Sequence, residues 1–109
     1  MAQVPVNRKL WTDLSDSERT AIEDVLRGTG ALAPGDTLKP TDNAPELPVP
    51  DTEFVRTLNV PLANPACEAA CNATYAATVS RCNLLPHPAA RAVCYGAATA
   101  AYGLCLRNC

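Results

Sequence analysis

Six cysteines, all in the last two-fifths of a 109-residue chain, constrain this sequence more than any other feature. They stand at Cys67, Cys71, Cys82, Cys94, Cys105 and Cys109, in the palindromic pattern Cys-x3-Cys-x10-Cys-x11-Cys-x10-Cys-x3-Cys. Six cysteines allow fifteen pairings in principle, and helical geometry selects one. At about 100° per residue, Cys67, Cys71 and Cys82 fall within roughly 60° on one helix face, and Cys94, Cys105 and Cys109 do the same on a second helix. Antiparallel helices joined by a turn bring together positions that mirror each other about the turn. The mirror point is residue 88, inside Leu85-Pro86-His87-Pro88, which is turn chemistry. The spacing therefore predicts three rungs: Cys67–Cys109, Cys71–Cys105 and Cys82–Cys94.

The rest of residues 65–109 agrees with this reading. Asn64-Pro65 offers an Asn N-cap with Pro at the first helical position. Residues 65–84 and 88–108 are Ala-rich and hold no Pro beyond their first residue. The same mirror places Tyr75 opposite Ala101, Thr78 opposite Ala98 and Val79 opposite Ala97, small enough for the close approach that a disulfide needs. An alanine seam buries too little apolar area to hold a short hairpin alone, so the rungs replace the missing core. Other uses of the cysteines fit less well. Two Cys-x3-Cys units could form a thiolate metal site, but Cys82 and Cys94 lie far along the helices and His87 lies in the turn. No Cys-x2-Cys redox motif is present, and nothing supplies a base and an orienting group for a nucleophile. No metal site, cofactor or catalytic residue is expected. Asn72-Ala73-Thr74 matches the N-glycosylation pattern, but its Thr lies near the seam, and we read the match as coincidence.

Paired Cys-x3-Cys units on two helices resemble two designs. One is the plant α-hairpinin. The other is the coiled-coil-helix–coiled-coil-helix group of the mitochondrial intermembrane space, with its twin Cys-x3-Cys translocase chaperones and twin Cys-x9-Cys relatives. The resemblance is architectural and covers Cys67 to Cys109. The outer pairs Cys67/Cys71 and Cys105/Cys109 fit the form, whereas Cys82 and Cys94 depart from it by an x10 spacing and a third rung. The cysteines imply an oxidising compartment, and no export signal is read at the N-terminus. Intermembrane-space proteins of this type resemble the chain in lacking a cleaved presequence. An extracellular site by leaderless export, a virion, or a thermophile's disulfide-rich cytosol would also fit.

Residues 1–64 are a different material. They hold ten of the eleven acidic side chains and six of the nine basic ones, a balance of −4, against +2 for residues 65–109. Ser15-Asp16-Ser17-Glu18 matches a capping box, opening a helix over about 16–27 that ends at Gly28. Ala21, Ile22, Val25 and Leu26 form one narrow apolar stripe. So short a helix is marginal alone in water. It either folds back on the cysteine-rich segment or docks on a partner, and docking is the favoured expectation. From Ala31 to Pro65 seven prolines punctuate the chain, predicting an extended arm with polyproline-II character. Thr52–Val60 could be a short strand, with Phe54, Leu58 and Val60 as anchors.

The expected fold is all-α: a disulfide-laddered antiparallel helical hairpin over 65–109, preceded by a docking segment with a short helix over 1–30 and an extended Pro-rich arm over 31–64. The net charge of −2 gives no basic patch for nucleic acid, and no stretch approaches the length of a membrane span. The expected function is non-enzymatic: a structural or accessory subunit that binds protein neighbours in a homo- or hetero-oligomer. Its rod is about 30 Å long, and Tyr95, Tyr102 and Leu106 line one outer stripe. Trp11, Ile22, Val25, Leu26, Phe54 and Leu58 complete the candidate interface. Two alternatives remain. One is the precursor of a secreted, bacteriocin- or toxin-like peptide with an N-terminal leader. The other is a helical-hairpin protease inhibitor presenting Arg81 or Arg91.

Overall fold

A computed structural model of the chain describes residues 3–42 and 65–108. Among these, 69% are helical, in four helices, and two short strands pair beside them. The order is β1 (Gln3–Asn7), α1 (Arg8–Asp13), α2 (Asp16–Thr29), β2 (Thr37–Thr41), α3 (Pro65–Cys82) and α4 (Pro88–Arg107).

Local chemistry sets the helix ends. Asn7 caps α1 by accepting the Leu10 N–H at 3.1 Å. Ser15 and Glu18 close the expected capping box at the start of α2: the Ser15 hydroxyl accepts the Glu18 N–H, and the Glu18 carboxylate accepts the Ser15 N–H. The helix runs past Gly28 and stops at Gly30, whose φ of 86° is the left-handed conformation that glycine adopts without strain. The Leu32 N–H then reaches back to the Leu26 carbonyl and tucks Leu32 into the core. Pro88 occupies the first turn of α4, and His87 caps it, its Nδ1 accepting the Ala89 N–H at 3.2 Å.

Two five-residue strands depart from the all-α expectation. β1 and β2 run parallel, Val4 beside Leu38 and Val6 beside Pro40. Val4 and Val6 alternate inward and are buried. Each strand carries one proline, tolerated because a two-stranded sheet consists only of edges. β2 and Leu32 lie within the segment expected to be an unpacked arm, so its described portion is packed rather than free. The remainder of that arm, with the strand expected over 52–60, lies outside the described residues, as do the Asn64 cap and Cys109.

Helix α4 is the centre of the molecule. Ten of its residues are buried, from Ala90 to Leu106, because α3, α2, β1 and α1 all pack against it. α3 turns only Cys71, Tyr75, Thr78 and Cys82 fully inward, at steps of four, three and four. Two disulfides join α3 to α4. Cys71–Cys105 has a Cα separation of 5.9 Å and Cys82–Cys94 one of 5.6 Å, and both distances are ordinary for a disulfide. Cys67 is disulfide-bonded as well. These bonds fit an oxidising environment. Among the described residues, no helix is long and apolar enough to cross a membrane.

Among the described residues, the buried apolar side chains form two clusters. The larger combines Val4, Val6, Leu14, Ile22, Leu26 and Leu32 with Cys82, Val93, Cys94, Tyr95 and the inner alanines of α4. The smaller holds Cys71 and Leu106, with Cys67, Tyr102 and Cys105 packed on it.

Candidate functional site

Polar side chains meet where the end of α2 crosses the two cysteine-bearing helices. Thr78 on α3 is fully buried, so its hydroxyl must find partners inside the protein. It lies 2.7 Å from the Thr74 carbonyl and 2.7 Å from the Thr29 hydroxyl, which itself reaches the Val25 carbonyl at 3.0 Å. Each hydroxyl has one proton, so one of the two hydroxyls must donate to the other rather than to its own helix carbonyl, and that bond ties α2 to α3. Buried Thr99 on α4 meets the Tyr75 hydroxyl at 3.4 Å. The Tyr75 and Tyr102 rings lie 4.9 Å apart at a tilt of 35°, and the Tyr102 hydroxyl donates to Asn72.

These groups border a cleft of about 60 Å³ lined by Thr74, Tyr75, Thr78 and Tyr102, with the Cys71–Cys105 bridge at one wall. The volume suits a few water molecules. Among the described residues, the two phenols are its only ionisable side chains. Its polar groups orient one another and organise no acid–base pair.

A second polar contact joins the start of α2 to the start of α4. The Glu18 Oε2 lies 3.6 Å from His87 Nδ1, while Oε1 accepts from the Ser15 N–H and hydroxyl. The Ser15 N–H holds the Glu18 carboxyl below its ordinary range, the Ser15 hydroxyl adds to this, and burial opposes it. The His87 Nδ1 lone pair is committed to the Ala89 N–H. Glu18 Oε2 accordingly has no hydrogen-bond partner among the described residues.

The structure redistributes the residues singled out as an interface. Ile22 and Leu26 are 0% exposed, and Val25 packs beside them. The stripe expected to dock on a partner is packed on α3 and α4 of its own chain. The physical reason is proximity: the apolar face of α4 lies within reach, and a marginal helix gains most by burying its stripe there. Tyr95 and Leu106 are buried too, so only half-buried Tyr102 remains of the stripe expected on the outer face of α4. The Tyr95 hydroxyl donates to Asn83. Trp11 is half-buried, its carbonyl accepting from Arg19 Nε at 3.0 Å and its ring 5.9 Å from the guanidinium carbon. Phe54 and Leu58 lie outside the described residues.

Of the two arginines considered for protease recognition, Arg91 is partly buried and Arg81 is exposed. Arg91 donates to the Leu85 carbonyl at 2.7 Å. The Arg81 guanidinium lies so close to Gly28 that a Cβ there would fall 2.6 Å from Nη1.

The sequence reading places its outer stripe on α4 and names no residue of the outward face of α3. Ala66, Ala69, Ala70, Ala73, Ala76, Ala77 and Ser80 are all exposed there. The signal was present: once the inward register of α3 is set by Cys71, Cys82 and the positions between them, these residues must face away. Leu84, in the turn after α3, is 81% exposed, the one large apolar side chain so placed among the described residues. Compared with protein-family models, characterised proteins and solved structures, the chain matches none.

Proposed function

We propose that this chain is a non-enzymatic structural or accessory module that binds protein neighbours in an oxidising compartment. In this reading α3 and α4 form an antiparallel hairpin closed by three rungs, with Cys67–Cys109 as the third. The mitochondrial intermembrane space, the extracellular space and a virion are the compartments that would keep such a ladder closed. Cys71–Cys105 and Cys82–Cys94 support the pairing, since both are symmetric about residue 88.

One observation carries the binding role. The disulfides and the Thr29–Thr78 contact hold α3 by its inner edge and leave its outer edge exposed, lined by alanines with Arg81 at its C-terminal end. Helices approach one another most closely where side chains are small, so this face suits a helix of a neighbouring protein. The interface thus shifts from α2 and α4 to α3, with Tyr102 and Leu84 at its margins.

The test is the size of the assembly in extracts of the native source, compared with that of an Ala73→Arg variant. The proposal expects the wild type to elute well above the mass of one chain. The variant is expected to elute as a monomer with unchanged thermal unfolding. A wild-type monomer in native extract overturns it. The precursor reading has less support, because removing residues 1–64 would uncover Val93, Tyr95 and Ala97.

A further inference from the structure

The two disulfides sit in different surroundings. Cys82 and Cys94 are both 0% exposed and belong to the larger cluster, enclosed with Ile22 and Leu26. Cys71–Cys105 belongs to the smaller cluster and forms a wall of the cleft beside Tyr75 and Tyr102. Cys71 is 1% exposed, whereas Cys105 is half-buried. Thiol–disulfide exchange requires a thiolate to reach a sulfur, so access separates the rates of otherwise similar bridges. The clusters also divide the consequences. Opening Cys71–Cys105 loosens the packing of α3 on α4 at the smaller cluster, where the Cys67 bond remains as a tether, while the larger cluster keeps its own bridge and apolar contacts.

We propose that Cys71–Cys105 is a redox-sensitive clasp, opened by a dithiol reductant while Cys82–Cys94 stays closed. A thiolate of the dithiol attacks Cys105 Sγ. The Cys71 thiolate leaves and takes up a proton. The second thiol of the reductant then displaces Cys105, which is released as a thiol. The bridge gains two electrons and two protons, and the dithiol becomes a disulfide. Opening frees the neighbours packed on the bridge, Tyr102 and Leu106, and adds an apolar patch that the oxidised protein keeps covered.

The experiment treats the full oxidised chain with graded dithiothreitol, quenches with acid, alkylates, and maps the labelled cysteines by mass spectrometry. The clasp predicts a partly reduced species labelled at Cys71 and Cys105, with or without Cys67 and its partner, in which Cys82–Cys94 is intact. It also predicts labelling of Cys105 at least about tenfold faster than that of Cys94. Equal rates, or earlier opening of Cys82–Cys94, overturn the proposal. A Cys71→Ala/Cys105→Ala double variant provides a second reading. Cooperative thermal unfolding with Cys82–Cys94 closed supports a clasp that opens locally, and loss of cooperative unfolding overturns it.

Discussion

Truncating Ile22 to alanine measures whether the N-terminal half belongs to the same core as the cysteine-bearing helices. Ile22 is 0% exposed and enclosed in the larger cluster together with Val93, Cys94 and Tyr95. The change removes three carbons, worth about 0.8 kcal/mol each, or about 2.4 kcal/mol together. A cavity of about 80 Å³ that stayed open would add about 2 kcal/mol. The expected loss is therefore about 2.5–4.5 kcal/mol, a large share of the roughly 5–15 kcal/mol that holds a domain together. The disulfides do not offset it, because they join α3 to α4 and constrain nothing in residues 3–42. The assay is urea unfolding under non-reducing conditions, with exposed Thr20→Ala as a control expected to stay within about 0.5 kcal/mol. If Ile22→Ala fell within the same margin as the control, α2 would not be packed as described, and the docking segment expected from sequence would be restored.

Gly28→Ala is expected to leave stability unchanged or raise it by up to about 1 kcal/mol, because Gly28 is helical and only the mobile end of Arg81 stands in the way. A loss above about 2 kcal/mol in thermal unfolding would show that Arg81 cannot move. Glu18→Gln tests a pH dependence. The folded protein lowers the Glu18 carboxyl from its ordinary 4.5, so its contribution is present above that pH and disappears as pH falls through the folded value. The variant should lose less stability than the wild type over that interval, and parallel stability–pH curves would contradict the capping-box account. Replacing Cys82 and Cys94 together by Ala releases a bridge of sequence separation 12, which corresponds to about 3 kcal/mol of unfolded-chain entropy. The two enclosed sulfurs add a cavity cost, so a urea-unfolding loss below about 1 kcal/mol would rule out a structural role for this bridge.

The legible and illegible parts of this fold differ in how local their causes are. Ser15 and Glu18 announce α2 within four residues, and Pro86 and Pro88 bracket the turn before α4. The Cys71–Cys105 and Cys82–Cys94 bonds follow from a mirror pattern that only two helices satisfy. The sequence ends α2 one glycine too early: Gly28 continues the helix, and Gly30 is the residue with positive φ that stops it.

The β1–β2 pair was not legible, because a five-residue alternation interrupted by Pro5 is too short to stand out and its partner is remote in sequence. The fate of Ile22, Leu26, Tyr95 and Leu106 was hidden for the same reason. An apolar stripe records that something must cover it, and its own chain and another protein leave the same stripe. His87 stands exposed in the turn, and its ring also caps α4, a role that depends on backbone geometry and leaves no mark in the pattern of residue types.

Peptide mapping of the untreated protein with trypsin and chymotrypsin tests the disulfide architecture most directly. Cleavage at Arg81 and Arg91 isolates Cys82, cleavage at Tyr95 and Tyr102 separates Cys94 from Cys105, cleavage at Arg107 separates Cys105 from Cys109, and an added glutamate-specific protease cutting after Glu68 separates Cys67 from Cys71. The expected products link the peptide of Cys71 to that of Cys105 and the peptide of Cys82 to that of Cys94, with Cys67 joined to Cys109. A bond between Cys67 and Cys71 within one helix, or free thiols at Cys82 and Cys94, would contradict it.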